Sequence, residues 1–157
     1  MSSVHRFSLR VYLEDTDGIG IVYYANYLKF AERARTEFLR HFDVSHAEMI
    51  QEQGVMFVVR TCTLNCLASA RLDDVLEVRT HLKKPGRAKL EVSQAILRED
   101  KLIATLEVTL ACINAMGKPV RLDTNFVNKM WTHVGVPQDY KKSSVWESQI
   151  DLEAVRK

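Results

Sequence analysis

Hydrophobic positions alternate near the start of the chain. Phe7, Leu9, Val11 and Leu13 fall on one face, with Ser8, Arg10 and Tyr12 on the other. A period of two is what a half-buried strand imposes, so residues 7–13 are predicted as the first strand. An acidic, glycine-containing turn follows over residues 14–20 and breaks the alternation. From residue 25 to 42 the period changes: Tyr27, Phe30, Ala31, Ala34, Phe38 and Phe42 recur every three or four positions, and Lys29, Glu32, Arg33, Glu37 and Arg40 take the opposite side. That pattern predicts an amphipathic helix of about five turns.

Ser45, followed by Glu48 and stopped by Gly54, has the spacing of a capping box at the head of a short second helix. Beyond Gly54 the chain turns rich in Val, Ile, Leu and Thr. Segments 55–67, 75–83, 88–98 and 102–114 are separated by the turn signals ARLDD, KKPGR, REDK and NAMGKP, and predict four long antiparallel strands. A short helix is expected over residues 123–134. One strand, one long helix and four strands make an α+β domain in which the helix covers one face of a five-stranded sheet. We expect this domain to occupy residues 1–137, with a polar tail over 138–157. Exposed sheet edges on so small a unit call for pairing with a second copy, giving a dimer at least.

Composition narrows the function classes. The chain has 157 residues, 46% of them hydrophobic and 27% charged, which is the balance of one ordinary globular domain. A net charge of +2 argues against general nucleic-acid binding. No apolar run is long enough for a membrane span and the N-terminus lacks the apolar stretch of a signal peptide, so a cytoplasmic location is expected. Cys62, Cys66 and Cys112 lie in strand-like surroundings and are expected to be reduced structural thiols in the core or half-buried. His5, His41, His46, His81 and His133 show no metal-ligand spacing, so no metal is expected. Nucleophile-elbow, phosphate-loop and dinucleotide motifs are all missing.

The acidic turn remains as the candidate for chemistry. Glu14 and Asp15 adjoin the strand and are expected to be solvated, whereas Asp17 precedes Gly18-Ile19-Gly20 and the entry into the long helix. On the residues alone Asp17 reads either as a turn or capping group or as a reactive carboxylate beside a helix N-terminus. The wider segment adds to this. Arg10-Val11, four residues, Thr16-Asp17, two residues, Gly20-Ile21-Val22, two residues, Ala25, then Tyr27 and Phe30 resemble the signature of the 4-hydroxybenzoyl-CoA thioesterase family at every defined position. The continuation YLKFAERARTEFLR is similar to the YbgC-like branch, acyl-CoA thioesterases often encoded beside the Tol-Pal envelope system.

That resemblance implies a hotdog fold, a five-stranded antiparallel sheet wrapped around one long helix, and cofactor-free hydrolysis of acyl-CoA at subunit interfaces, coenzyme A being part of the substrate. It implies that Asp17 is catalytic, as nucleophile or general base, and that the backbone N–H of Tyr24 polarises the thioester carbonyl. The YbgC-like branch usually carries histidine where this chain has Tyr24, while the hydroxybenzoyl-CoA branch carries tyrosine. Aromatic acyl groups therefore stand beside short aliphatic ones as expected substrates. Lys83, Lys84, Arg87 and Lys89 in the KKPGR turn, with Arg121 after the last strand, are the residues expected to meet the nucleotide phosphates. A homodimer stacked into a homotetramer is expected, with acyl carrier protein or a Tol-Pal-associated protein as a further partner. The competing function is a non-catalytic hotdog module that binds acyl-CoA, acyl carrier protein or an envelope-assembly partner; a hotdog dehydratase fits less well, since the acid sits before the helix in the thioesterase pattern and no catalytic histidine accompanies it.

Overall fold

The computed structural model describes residues 4–83 and 85–134. Strand β1 (His5–Arg10) is followed by a single 3-10 turn (Leu13–Asp15) and helix α1 (Ala25–Arg40). A short helix α2 (His46–Glu48) runs on as a π-helical turn (Met49–Gln53). Strands β2 (Val55–Cys66), β3 (Val75–Leu82), β4 (Lys89–Arg98) and β5 (Lys101–Asn114) and helix α3 (Thr124–Val134) complete the order. The five strands form one antiparallel sheet in the order β1-β3-β4-β5-β2, so β1 and β2 are its edges.

Helix α1 lies across one face of this sheet. Among its buried side chains Tyr27, Phe30, Ala31, Ala34 and Phe38 are the ones the helical period selects, with Asn26 and Leu39 buried besides them. They meet the inward set of β3, where Leu76, Val78, Thr80 and Leu82 are buried and Glu77, Arg79 and His81 are less so. Burying an aromatic such as Phe30 contributes roughly 2–3 kcal/mol, and it is the sum over this helix–sheet contact that holds α1 in place.

The fold class and all five strands match the expectation, and the departures have local causes. The first strand ends at Arg10 rather than at residue 13: the chain turns at Val11, whose N–H donates to Asp74 O at 2.8 Å, and Leu13 is left 74% exposed. Asp15 is not solvated; it is buried, 6% exposed, with Oδ2 accepting the Tyr12 N–H at 2.8 Å. Helix α1 stops at Arg40, and Asp43 takes a left-handed φ of 59° in the turn after it. The Ser45 cap is present, its hydroxyl accepting from Glu48 N at 3.1 Å. Cys112 is buried as expected, but Cys62 and Cys66 are exposed, because β2 is an edge strand that α1 does not fully cover. Lys84 and the tail from residue 138 lie outside the described residues.

The register gives the sheet two distinct ends. Arg10 at the close of β1 pairs with Val75 at the start of β3, while His5 pairs with Thr80. The acidic turn, the start of α1 and the end of β2 therefore sit at one end, and the close of β3, the start of β4 and the close of β5 sit at the other. Eight residues of β3 separate the two ends by about 25 Å.

Candidate active site

The turn that carries Asp17 is a miniature hairpin. Thr16 and Val22 form an antiparallel bridge, Asp17 N donates to Ile21 O at 2.8 Å, and Gly20 N donates to Asp17 O at 3.3 Å. Gly20 has φ of 85°, a conformation that costs glycine little and a residue with a Cβ more. The hairpin is docked on the chain before β3 through Val22 N to Ala70 O at 2.8 Å and an Ile21–Arg71 bridge.

Within it, the two oxygens of Asp17 differ. Oδ1 accepts the Ile19 N–H at 2.9 Å and the Ile21 N–H at 3.3 Å, whereas Oδ2 accepts nothing among the described residues. The turn reading and the reactive-carboxylate reading are thus both accommodated by one side chain: one oxygen shapes the loop, and the other is available. Ile19, at the tip, is 78% exposed, so the approach to this carboxylate is open and apolar.

Helix α1 begins immediately beyond. Tyr24 is its N-cap residue, and the Tyr24 N–H has no acceptor among the described residues, although its neighbours do: Val22 N on Ala70 O, Tyr23 N on Asp15 O, and Asn26 N on Tyr23 O. An unsatisfied amide at a helix N-terminus, where the helix dipole adds partial positive charge, is suited to an oxygen that gains negative charge. The Tyr24 ring is 59% exposed and meets Tyr23 edge-on at 5.0 Å between centroids. Tyr27 anchors the same turn from below, its hydroxyl accepting the Ala70 N–H at 3.4 Å. Burial pushes that hydroxyl above the usual tyrosine range, which keeps it neutral.

No thiolate competes with Asp17. Burial pushes the Cys112 thiol above the usual range, and the partial desolvation that the exposed Cys62 and Cys66 retain on β2 acts in the same direction, opposed at Cys62 by the Arg35 charge, so all three stay protonated near neutral pH. Among the described residues no cluster of three His, Cys, Asp or Glu side chains could hold a metal.

The expected phosphate-binding residues lie elsewhere. Lys83 pairs with Glu107 at 2.7 Å and Lys89 with Glu91 at 3.1 Å, both on the outward side of the sheet's far end. Arg87 and Arg121 are brought together there, since Leu122 N donates to Arg87 O at 2.9 Å, and neither guanidinium is in an ion pair among the described residues. Next to them is a cavity of about 440 Å³ lined by Val44, Met49, Phe57, Cys112, Arg121 and Phe126. Within one chain Asp17 and Tyr24 are therefore assembled at one end and the cations at the other. Asn26, which ties the acidic turn to α1 through the Asp15 carbonyl, carries no expectation from the sequence, and Asp15 carries only the expectation of solvation; an asparagine on the apolar side of the first helical turn is the available signal.

Residues 11–130 match the Thioesterase-like superfamily. The acyl-CoA thioester hydrolase YbgC of Escherichia coli is 41% identical over 128 residues, covering 80% of this chain and 95% of that protein. The acyl-CoA thioesterase YbgC of Haemophilus influenzae is 39% identical over 112 residues, covering 71% and 82%. Among solved structures, a probable thioesterase from Bartonella henselae superposes with a TM-score of 0.74 at 37% identity, covering 76% of this chain and 99% of that one.

Proposed function

Because the chain belongs to the thioesterase-like superfamily of hotdog proteins and is an acyl-CoA thioesterase, we propose that it hydrolyses short-chain aliphatic or benzoyl-type acyl-CoA at the Asp17 turn. Asp17 is the reacting carboxylate and the Tyr24 amide is the donor to the carbonyl oxygen. The observation that carries this assignment is that a carboxylate oxygen in the turn leading into α1 and the backbone N–H at the N-cap of that helix both lack partners among the described residues.

Two routes use the same geometry. In one, Oδ2 attacks the thioester carbon and expels the CoA thiolate, and water opens the resulting anhydride. In the other, Oδ2 takes a proton from a water molecule that attacks the same carbon, and the proton passes to the departing sulfur. In both, negative charge builds on the carbonyl oxygen, where the Tyr24 N–H and the helix dipole stabilise it. Carboxylate, amide and water supply every group that the hydrolysis needs, so we assign no cofactor.

The working unit is a dimer formed through β2. That strand is an unpaired edge, Val59 on it is 52% exposed, and Tyr24 and Leu28 are exposed on α1. Antiparallel pairing of two β2 edges about a two-fold axis sets the Asp17 end of one protomer against the far end of its partner. The partner's copies of Arg87, Arg121 and the 440 Å³ cavity are then the ones in range of a CoA thioester at Asp17, which supports a site built from both subunits. Two such dimers stack into a tetramer. Among the described residues no helix is long and apolar enough to cross a membrane, and we place the protein in the cytoplasm, where its unpaired cysteines stay reduced.

Free-thiol release from a panel of acetyl-, butyryl-, palmitoyl- and benzoyl-CoA tests the substrate assignment. Turnover is expected with the short and the aromatic members. Release confined to the palmitoyl thioester would overturn the assigned acyl class, and no release by a folded protein that still binds CoA would leave a binding module instead.

A further inference from the structure

The geometry points to Asn26 as the positioning residue that sets Asp17 and the Tyr24 amide at working separation, an inference that rests on the assignment of those two groups above. Asn26 lies in the first turn of α1 yet is only 8% exposed. Asparagine gains little from a helix interior, and a buried amide is retained where its hydrogen bonds are filled. Its Nδ2 donates to the main-chain carbonyl of Asp15 at 2.8 Å, and the same oxygen accepts the Tyr23 N–H at 2.9 Å. Asp15 is fixed in turn, its carboxylate holding the Tyr12 N–H at 2.8 Å.

The bond joins the two arms of the site. Asp15 is two residues before Asp17 on the strand-and-turn arm, and Asn26 is two residues after Tyr24 on the helix arm. The hydrogen bonds made by Asp17 itself, to the backbone of Ile19 and Ile21, stay inside the hairpin. They fix the shape of the turn but not its place relative to α1. Placement falls to the Asp15 carbonyl and the contacts with residues 70–71. Among the described residues two helix side chains take part: the Asn26 bond runs straight to the turn, whereas Tyr27 Oη accepts from Ala70 N and so reaches only the chain on which the hairpin is docked. A carboxylate and a donor must meet one carbonyl group from two directions, so loosening this bond misaligns them without touching substrate.

The test compares Asn26→Ala and Asn26→Asp with the wild type, with Asp17→Asn assayed in parallel. In Asn26→Ala, kcat should fall on the order of 10²-fold, the scale of an ångström-sized misplacement, while KM stays close to the wild-type value. In Asn26→Asp the introduced carboxyl donates to the Asp15 carbonyl only when protonated. Its kcat relative to wild type should therefore recover as pH is lowered, an added ionisation that a purely structural loss would not produce. Near-wild-type kcat in a folded Asn26→Ala protein would overturn the inference, and so would an Asn26→Asp profile parallel to wild type. The second comparison decides the matter even if Asn26→Ala fails to fold. Normal turnover by Asp17→Asn would retire the site assignment itself, whereas an inactive Asp17→Asn beside a fully active Asn26→Ala would retire only the positioning role.

Discussion

Nη1 of Arg35, in α1, donates a 2.8 Å hydrogen bond to Oε1 of Gln94, in β4, and so links helix to sheet through an otherwise apolar contact. Gln94 is 1% exposed, and its Nε2 donates to Ala31 O at 2.9 Å and to Thr80 Oγ1 at 3.1 Å. Burial pulls the Arg35 guanidinium below its usual pKa, opposed mainly by Glu32, which indicates how much that charge depends on its few partners. Gln94→Leu keeps the volume but removes the acceptor for Arg35 and the donor for Ala31 and Thr80. Urea unfolding should show a loss of about 1–3 kcal/mol, the usual cost of stranding buried polar groups. Turnover by the folded fraction should change little, because the network is two turns and more along α1 from Tyr24. Unchanged stability would mean that Arg35 finds solvent as readily as Gln94.

Stability should also fall with acid in a defined window. Burial, reinforced by the Arg79 charge, holds the His81 imidazole down to about 4, against an ordinary value of 6.5. Between those values the unfolded chain binds a proton that the folded chain refuses, so the contribution of neutral His81 is complete above pH 6.5 and drains away as pH falls towards 4. His5 is lowered in the same sense, by burial first and then by His41, with Glu37 opposing. Asp74 acts outside the window. Burial raises its carboxyl, but hydrogen bonds from Arg71 N and Arg98 and their charges outweigh this, so its contribution is lost only at pH values below its ordinary 3.8. A melting-temperature series from pH 7.5 to 4 should slope downwards below 6.5, and His81→Gln should flatten part of the slope. An identical slope in that variant would contradict the assignment to His81.

Arg87 and Arg121 should contribute to KM rather than to the chemical step. Lys83 and Lys89 are already held by Glu107 and Glu91, which leaves the two arginines as the better phosphate ligands among the described residues of this cluster. The double variant Arg87→Ala/Arg121→Ala should raise KM for acyl-CoA and spare a truncated thioester that lacks the nucleotide, with the difference shrinking at high salt. Equal losses on both substrates would remove the phosphate role.

Much of this architecture is legible in the chain itself, since strands and helix announce their periods wherever one face is buried. The period of Tyr27, Phe30, Ala34 and Phe38 is imposed by the sheet beneath α1, and the residues are buried accordingly. Legibility fails where the backbone is held by single polar contacts. Leu13 continues an apolar alternation, but the Val11–Asp74 bond and the Asp15 cap take the chain out of the sheet before it. Asp15 looks solvated because acidic turns usually are, and its buried cap on Tyr12 depends on a partner three residues back that no hydrophobic pattern marks. Asp17 and Tyr24 stand out only through motif resemblance; Asp17 lies in the hairpin that leads into α1 and Tyr24 at the N-cap of that helix. That the basic turn stands about 25 Å away follows only from strand direction and register, which a list of charged residues does not contain.

Hydrolysis by Asp17→Asn, measured beside Asp15→Asn on the same thioester, bears most directly on the assignment of the reaction to Asp17. Asparagine at 17 keeps the oxygen that accepts from Ile19 N and Ile21 N, so the hairpin should persist while the anionic Oδ2 is lost. Asparagine at 15 can still cap Tyr12, at a cost of about 1 kcal/mol in stability, and removes no reacting group. Turnover by Asp17→Asn should fall roughly 10²–10⁴-fold with substrate binding retained, while Asp15→Asn stays near the wild-type rate. Near-wild-type hydrolysis by a folded Asp17→Asn protein, or a comparable defect in Asp15→Asn alone, would contradict the placement of the chemistry on Asp17.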